Sequence, residues 1–274
     1  MTREIYVVVN PRRPEAGQSA DLMTAELAKH GISVRRSGPL GQAEIVLVFG
    51  GDGTILSAAE LTRATEVPIA GINYGHVGFL AEEDPQSMSR VVEQITHHQW
   101  TLDRRMTLDV TVQIGHRTET TWTLNEAALE KATGRMIDVA LGVDGRGVST
   151  FSCDSVLMAT PTGSTAYAFS AGGPVIWPDV EAMLLIPVAA HALFTRPLVV
   201  GPDSVLEVVL HDGAACLRCD GRRELPTPPG AIITVRRSPH PVYLARLNDT
   251  PFSGRLVKKF DLPVKGWKNI GGTR

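Results

Sequence analysis

The apolar residues of this chain follow two different spacings, and the change falls near residue 100. Before it, short apolar runs alternate with segments whose apolar positions have helical spacing. Such alternation favours a parallel sheet with helices packed on it. The predicted strands cover residues 5–9, 32–34, 45–49 and 68–73, and the predicted helices cover residues 21–30, 54–64 and 85–98.

Beyond Met106 the apolar positions alternate with a period of two over short runs, separated by turns that contain Gly or Pro. Many short strands of this kind favour an antiparallel sandwich or barrel. A short helix-like insertion is predicted over residues 164–171. The predicted strands cover residues 107–114, 117–124, 137–143, 147–153, 204–210, 215–220, 231–236 and 242–246.

The two spacings predict two domains, which agrees with a length of 274 residues. The first is an α/β domain over residues 1–100, and the second is a mainly antiparallel β-sandwich domain over residues 101–249. Residues 100–105 have the pattern of a linker. The tail from about residue 250 to residue 274, which includes Trp267, is expected to pack back on the first domain.

Composition narrows the possible partners. Hydrophobic residues make up 43% of the chain and charged residues 20%, which disfavours disorder. A net charge of −2 and an aromatic content of 5% give no indication of nucleic-acid binding. The first residues lack the apolar stretch of a signal peptide, and no apolar run is long enough to span a bilayer. We therefore expect a soluble cytoplasmic protein with no nucleic-acid or membrane partner.

Three cysteines, an odd number, fit a reducing compartment better than a disulfide framework. Cys216 and Cys219 form a CxxC motif, and a zinc site there would need further ligands, for which Cys153 and His211 are the candidates. On a strand, positions three apart point to opposite faces. We therefore predict structural cysteines and no metal bound by protein ligands.

Residues 50–54 read Gly-Gly-Asp-Gly-Thr and join the predicted strand 45–49 to the helix that follows. A glycine-rich turn that opens a helix directs unpaired backbone N–H groups at one point, which suits a phosphate. We expect positive φ angles at these glycines and a backbone that an oxyanion can approach. The phosphate-binding candidates are Gly50, Gly51, Gly53 and Thr54.

Asp52 lies in the middle of this turn, where a carboxylate would repel a phosphate. Its presence implies a task, such as accepting a proton from an attacking hydroxyl. An ordinary aspartate is too weak a base to deprotonate a sugar hydroxyl in advance, so the proton would transfer late, as the phosphoryl group is transferred. The structural alternative is that Asp52 caps the helix.

Other nucleotide-binding motifs are absent from the sequence. No Gly-Lys dipeptide occurs, which excludes a Walker P-loop, and Thr, Ile and Leu follow Gly53 where a dinucleotide fingerprint needs a third Gly or Ala. Residues 75–78 form a second glycine-rich turn. Both turns are expected at the carboxyl ends of strands, where open α/β sheets bind ligands.

The second half of the chain contributes three polar segments. They are Asn125-Glu126, Asp154, and residues 160–167, which read Thr-Pro-Thr-Gly-Ser-Thr-Ala-Tyr. The hydroxyls and glycine of residues 160–167 suit ribose hydroxyls and phosphates. The alternative is that this segment caps a short helix.

The order of these motifs closely resembles the NAD kinase family, most strongly its bacterial members, from about residue 5 to Trp267. The resemblance rests on residues 50–54, 71–80, 125–126, 160–174 and 219–223. The segment 160–174 is highly specific. The turn at residues 50–54 is less so, because kinases similar to diacylglycerol and sphingosine kinases carry it too.

The resemblance implies phosphorylation of NAD at the 2′-hydroxyl of its adenosine ribose, giving NADP, at a site between a Rossmann-like domain and a β-sandwich domain. The phosphate donor is ATP or polyphosphate, and a divalent cation, Mg²⁺ or Mn²⁺, accompanies ATP. A homodimer or homotetramer is implied as well.

The family's residue roles transfer position by position. Asp52 would accept the proton of the ribose hydroxyl, and Phe79 would lie against the adenine. Some of the other residues would act in the pocket of a neighbouring subunit. The remaining NAD-binding candidates are Gly53, Asn125, Glu126, Arg135, Asp154, Thr165, Ala166, Tyr167 and Ser170.

The sequence departs from the family pattern at two positions. Ser155 follows Asp154 where the family usually has Gly, and Ser57 stands where several relatives carry Arg. Arg135 is the nearest basic candidate after Asn125-Glu126, and a solvated hairpin arginine is the alternative.

Two other functions are weighed against the kinase. A lipid kinase would need an apolar acyl pocket and a basic amphipathic face, which no segment shows, and it leaves residues 160–174 unexplained. A non-catalytic NADP-binding sensor gains nothing from a carboxylate beside a phosphate.

Overall fold

The computed structural model describes residues 3–73, 78–81 and 88–264. The chain divides into two compact units, one of Met1–Asp103 with Tyr243–Arg274 and one of Arg104–Val242. Within the described ranges, no helix has both the length and the apolar character needed to cross a membrane.

The first unit is built on one six-stranded sheet with helices. Its strands are β1 (Arg3–Val9), β2 (Ile32–Arg35), β3 (Val46–Phe49), β4 (Ile69–Ile72), β5 (Thr101–Arg105) and β18 (Val242–Arg246), and its helices are α1 (Pro14–Lys29), α2 (Asp52–Thr62), α3 (Met88–Thr96) and α5 (Phe252–Phe260). The strand order is β2-β1-β3-β4-β18-β5. The pairs β1–β2, β1–β3, β3–β4 and β4–β18 are parallel, as the alternating pattern predicts.

The core of the first unit lies between this sheet and the apolar faces of α1 and α3. Ala16, Ala20, Met23 and Leu27 of α1 are buried at helical spacing. They pack in one cluster with sheet residues and with the buried side of α3. Helix α1 begins at Pro14. Proline suits the first turn of a helix because the N–H group that it lacks would have no partner within the helix there.

The chain order of the sheet places β2 and β3 on opposite sides of β1. In open α/β sheets such a switch point leaves a crevice at the carboxyl ends of the strands, where ligands bind. The segments that follow β1 and β3 meet there, because the Asn10 N–H donates to the Phe49 carbonyl at 2.9 Å. The turn at residues 50–54 begins at this point.

The second unit contains two six-stranded antiparallel sheets. The strands are β6 (Leu108–Ile114), β7 (Arg117–Thr123), β8 (Glu126–Lys131), β9 (Ile137–Val143), β10 (Arg146–Cys153), β11 (Ser155–Ala159), β12 (Met183–Val188), β13 (Leu198–Val200), β14 (Leu206–Asp212), β15 (Ala215–Cys219), β16 (Arg223–Thr227) and β17 (Ile232–Arg237). The strand orders are β10-β9-β14-β17-β6-β7 and β13-β12-β11-β8-β15-β16. Between β11 and β12 lie a 3₁₀ turn, Gly163–Thr165, and the short helix α4 (Tyr167–Ser170).

One buried cluster joins the two sheets of this unit. It contains Val110 and Val139 from the first sheet and Leu129 and Val156 from the second. The unit is therefore a β-sandwich, which confirms the predicted fold class. The outer face of the second sheet is buried too, because Ala168 of α4 packs with apolar residues of β11 and β12.

Three predictions of local structure are wrong. Residues 100–105 are not a linker, because Thr101–Arg105 forms β5 of the first sheet. Strand β18 was expected in the sandwich, but Leu244 pairs with Ile69 of β4. Helix α1 begins at Pro14 rather than at residue 21.

Some predictions concern residues that the structure does not describe. Residues 85–87 of the third predicted helix, residues 75–77 of the second glycine-rich turn and Trp267 lie outside the described residues. The rest of that helix forms α3 (Met88–Thr96).

Candidate active site

The turn after β3 is a tight connection into α2. The Gly50 N–H donates to the Ile72 carbonyl of β4 at 2.9 Å, which ties the turn to the neighbouring strand. Gly51 is the N-cap residue, and its carbonyl accepts the Thr54 N–H at 2.9 Å. The amino terminus of α2 and its free N–H groups therefore lie at the carboxyl edge of the sheet.

The glycines of this turn do not have the expected positive φ angles, so that prediction is wrong. What they provide is the space that a side chain would fill. Gly51 has a φ of −94°, and neither Gly50 nor Gly53 is among the residues with positive φ. A Cβ on Gly50 would collide with the Thr54 side chain, whereas Gly51 and Gly53 have nothing within 4 Å of that position. Gly50 thus serves packing, and Gly51 and Gly53 leave the backbone open to a ligand.

The Asp52 carboxylate is held by hydrogen bonds from the backbone N–H groups of residues 79–81. Its Oδ2 accepts the Phe79 N–H at 3.0 Å, and its Oδ1 accepts the N–H groups of Leu80 at 3.0 Å and Ala81 at 3.3 Å. The helix has no side-chain cap. A carboxylate offers about four acceptor positions, and the described residues fill three of them, which leaves one for a further donor such as a hydroxyl.

Gly78 is required by the position of Asp52. A Cβ on Gly78 would overlap the Asp52 carboxylate. Phe79 is the next residue, and its ring is only 6% exposed. It packs against Phe252 and Phe260 of α5, with centroid distances of 5.7 and 5.8 Å.

In the second unit, Asn125 lies in the turn between β7 and β8 and Glu126 begins β8; together they form the Asn125–Glu126 turn, which is fixed from two sides. On one side the Asp220 carboxylate accepts the Asn125 N–H at 2.7 Å. On the other side the Thr160 N–H donates to the Asn125 carbonyl at 2.9 Å. Among the described residues the Asn125 side-chain amide has no hydrogen-bond partner, so it is available to a ligand.

The segment that begins at Thr160 holds this turn through its own chemistry. The Thr160 hydroxyl donates to the Leu124 carbonyl at 2.5 Å and accepts the Gly163 N–H at 3.1 Å. Gly163 lies so close to the Asn125 carbonyl that a Cβ would overlap it. The Thr-Pro-Thr-Gly sequence is therefore a support for Asn125 and Glu126.

The Glu126 carboxyl group lies in an electrostatically unfavourable place. One of its oxygens accepts the Tyr167 N–H, while Oε2 is buried and has no hydrogen-bond partner among the described residues. Burial first, and then the negative charge of Asp220, raise the pKa of Glu126 to about 8. Glu126 is therefore largely protonated at neutral pH and can donate a hydrogen bond.

The charges of Glu126 and Asp154 both act on the Tyr167 phenol. Asp154 forms an ion pair with Lys131, with a distance of 2.5 Å between Oδ1 and Nζ. Burial first, and then the Glu130 carboxylate, raise the pKa of the Tyr167 phenol. Ser155 begins β11 with no positive φ, so the serine in the family's glycine position causes no backbone strain.

The other candidates lie around α4 or on a loop. Thr165 and Ala166 are partly exposed, and Ser170 is exposed at the end of α4. Arg135 is exposed on the loop between β8 and β9, and its backbone N–H lies 3.4 Å from the Thr133 hydroxyl. Ser57 donates to the Gly53 carbonyl at 3.2 Å, one turn back along α2.

Sequence reasoning missed several residues that hold Asp52 and the Asn125–Glu126 turn in place. Asp220 and Gly78 received no role, although Asp220-Gly221 is a strong hairpin signal. Their partners are distant in the chain, so no local pattern could reveal them. The contacts of Phe79, Leu80 and Ala81 with Asp52 are made by backbone groups, which leave no trace in side-chain type.

The CxxC motif has the predicted strand geometry. Cys219 is buried in the core between the sheets, and Cys216, three positions earlier on β15, lies on the other face. No three His, Cys, Asp or Glu side chains in the described part of the chain are grouped so that they could hold a metal ion.

Models of two protein domains match this chain. Residues 40–100 match the ATP-NAD kinase N-terminal domain, and residues 124–247 match the ATP-NAD kinase C-terminal domain. Together the matches include the turn after β3 and the Asn125–Glu126 turn.

Curated relatives are similar over most of their length. The chain is 47% identical to NAD kinase 2 of Streptomyces coelicolor, with 97% of each chain covered. It is 50% identical to an NAD kinase of Leifsonia xyli, over 93% of this chain and 86% of the relative.

Solved structures share the fold. An NAD kinase from Archaeoglobus fulgidus in complex with ATP has a TM-score of 0.78 at 28% identity, covering 95% of this chain and all of that one. Yeast NADH kinase complexed with NADH has a TM-score of 0.87 at 19% identity, covering 99% of this chain and 90% of that one.

Proposed function

The chain belongs to the NAD kinase family, and on this premise we propose that it transfers a phosphoryl group from ATP or polyphosphate to the 2′-hydroxyl of the adenosine ribose of NAD, giving NADP. The observation that carries the proposal is the position of Asp52. Its carboxylate begins α2 beside the open backbone of Gly51 and Gly53, and the described donors leave it one acceptor position.

In the proposed reaction the ribose oxygen attacks the terminal phosphorus of the donor. The new O–P bond forms as the bond to the leaving phosphate chain breaks, and the hydroxyl proton passes to Asp52. Three N–H donors fix the carboxylate, so little reorganisation is needed for this step. A positioned base of this kind contributes on the order of a hundredfold or more to the rate.

The donor phosphates are proposed to bind at Gly50, Gly51, Gly53 and Thr54. The free N–H groups of the first turn of α2 and the positive end of its dipole favour an anion there. Developing charge on the transferring group is then stabilised by fixed donors.

NAD is proposed to bind the sandwich residues that sequence analysis identified. Asn125 contributes a side-chain amide without a partner among the described residues, and Glu126 contributes a protonated carboxyl group. In this scheme the first unit is the nucleotide-binding domain and the second is the NAD-binding domain. The remaining proposed NAD contacts are Gly53, Phe79, Arg135, Asp154, Thr165, Ala166, Tyr167 and Ser170.

The cation, the assembly and the location complete the proposal. Mg²⁺ or Mn²⁺ is proposed to arrive with ATP, where it would neutralise charge on the phosphates. Asp52 is the acidic residue in the first turn of α2. A cytoplasmic homodimer or homotetramer is proposed, with some pocket residues supplied by a neighbouring subunit.

The test is product formation by the purified protein with NAD, Mg²⁺ and either ATP or polyphosphate. An NADP-specific dehydrogenase detects the product. NADP from one donor or both supports the proposal and identifies the donor. No NADP from either donor, in folded protein that binds NAD, would overturn the kinase and favour a non-catalytic dinucleotide-binding protein.

A further inference from the structure

The turn between β15 and β16 places a carboxylate inside the sandwich. Asp220 and Gly221 have φ angles of 55° and 61°, and the Arg222 N–H donates to the Cys219 carbonyl at 3.0 Å. Two central residues with positive φ are the mark of a type I′ hairpin turn. Asp220 is only 7% exposed, which is unusual for an aspartate in such a turn.

The Asp220 carboxylate is saturated by donors from the segment that leads into the Asn125–Glu126 turn. It accepts the Thr123 hydroxyl, the Leu124 N–H at 3.0 Å and the Asn125 N–H at 2.7 Å. Arg223 donates to Oδ2 at 2.8 Å, and its guanidinium lies 4.4 Å from the centre of the Trp122 ring. Every donor except Arg223 lies within three residues of Glu126.

A second hairpin turn in the same unit shows that the turn itself does not need this burial. Asp144 and Gly145, between β9 and β10, have φ angles of 53° and 72°. Asp144 is exposed, and within the described part of the chain its carboxylate accepts only the Val205 N–H at 2.8 Å and the Ser204 hydroxyl at 3.2 Å. The contacts of Asp220 therefore serve the Asn125–Glu126 turn.

Asp220 also influences Glu126 by its charge. Among the described residues, the titratable groups that interact electrostatically with Glu126 include Asp220, Glu130 on the same strand, the Tyr167 phenol of α4 and the Cys219 thiol of β15. After burial, Asp220 is the largest cause that raises the pKa of Glu126 to about 8.

We propose that Asp220 is a positioning residue of the NAD site: its carboxylate orients the Asn125–Glu126 turn for the dinucleotide. The inference rests on the proposed function and names a residue that does not itself touch NAD. It gives a task to the Cys-Asp-Gly-Arg-Arg motif, to which the proposed reaction assigns none.

The first test is Asp220→Asn, with Asp144→Asn as the matched control. Asparagine adopts positive φ readily, so both turns keep their backbone. The amide nitrogen of asparagine cannot accept a hydrogen bond, so the variant loses the bonds that one carboxylate oxygen of Asp220 accepts. KM for NAD is expected to rise about tenfold, which is the effect of losing a hydrogen bond to a charged group. The change in kcat is expected to be smaller, and Asp144→Asn should leave both constants unchanged.

The second readout is the pH profile of kcat/KM for NAD. Removing the charge of Asp220 removes one cause of the raised pKa of Glu126. The limb of the pH profile that follows the ionisation of Glu126 should therefore move to lower pH. The shift has this sign whichever protonation state of Glu126 binds NAD. A merely structural effect would lower the profile without moving it, and Glu126→Gln should abolish this limb.

Thr123→Val gives an independent test should Asp220→Asn fail to fold. It is nearly isosteric and removes a hydroxyl that contacts both the Asp220 carboxylate and the Glu126 carbonyl, so a smaller rise in KM for NAD is expected. Folded variants with an unchanged KM and an unmoved limb would overturn the inference. Failure of the proposed function would look different, because wild-type protein would then make no NADP from NAD.

Discussion

Two buried carboxyl groups of the sandwich illustrate how the surroundings decide the role of a residue. Asp220 is surrounded by hydrogen-bond donors. Glu126 is 8% exposed, has one oxygen without a partner among the described residues and lies near the Asp220 charge. Burying a charge without donors is costly, so Glu126 keeps its proton instead.

This difference predicts how stability depends on pH. The pKa of Glu126 is raised from 4.5 to about 8 in the folded protein. The unfolded chain therefore releases this proton first, and the stabilisation that the proton provides is complete below pH 4.5 and is lost as the pH rises towards 8. Glu126→Gln should consequently gain stability relative to wild type over this range, by a few kcal/mol at most.

Thermal unfolding without NAD, measured from pH 4.5 to pH 9, checks this prediction. The difference in unfolding temperature should be small at pH 4.5, should grow towards pH 8 and should then level off. Glu207→Gln, a change at a partly exposed position of β14, serves as the control. A difference that is the same at all pH values would show that Glu126 titrates in its ordinary range.

At the scale of elements, the turn after β3 combines two kinds of glycine. Gly50 has no space for a side chain, while a Cβ on Gly51 would meet no atom within 4 Å. The backbone angles of Gly51, with φ of −94° and ψ of −169°, suit alanine. The effects of packing and of phosphate binding can therefore be separated by two adjacent substitutions.

Gly50→Ala is expected to lower the unfolding temperature, because the new methyl group overlaps Thr54. The cost of such overpacking is about 1–3 kcal/mol. Gly51→Ala should leave the unfolding temperature unchanged but raise KM for the phosphate donor, because the methyl group occupies the proposed phosphate site. An unchanged KM for ATP and polyphosphate in Gly51→Ala would place the phosphates elsewhere.

The sequence predicted elements well where one face is buried and one is exposed. The strand over Ile137–Val143 has such a pattern and was predicted with the observed bounds. Strands β11 and β12 were not predicted, because they are covered on both faces and lack alternation. Strand β5 is polar and largely exposed, and therefore looked like a linker.

The candidate site was predictable to a similar degree. The turn at residues 50–54 and the Asn125-Glu126 pair are local motifs, so sequence reasoning could identify them. The donors that hold Asp52 and the acceptor that holds the Asn125 N–H lie 27 to 29 and 95 positions away. Only the folded chain brings such partners together.

For the whole molecule, the proposed reaction predicts how the cation acts. If the divalent ion arrives with the nucleotide, EDTA should abolish NADP formation from ATP and leave the unfolding temperature of the free protein unchanged. Added Mg²⁺ should restore activity fully. A lower unfolding temperature in EDTA would instead indicate a cation bound by the protein itself.

The central claim is that Asp52 accepts the proton during phosphoryl transfer to NAD. It is tested most directly by the rate of NADP formation in wild type, in Asp52→Asn and in Glu60→Gln, a control at an exposed position of the same helix. Wild type and the control should have equal rates. Asp52→Asn should remain folded and bind NAD while losing turnover by on the order of a hundredfold or more. Near-normal turnover in folded Asp52→Asn would contradict the claim.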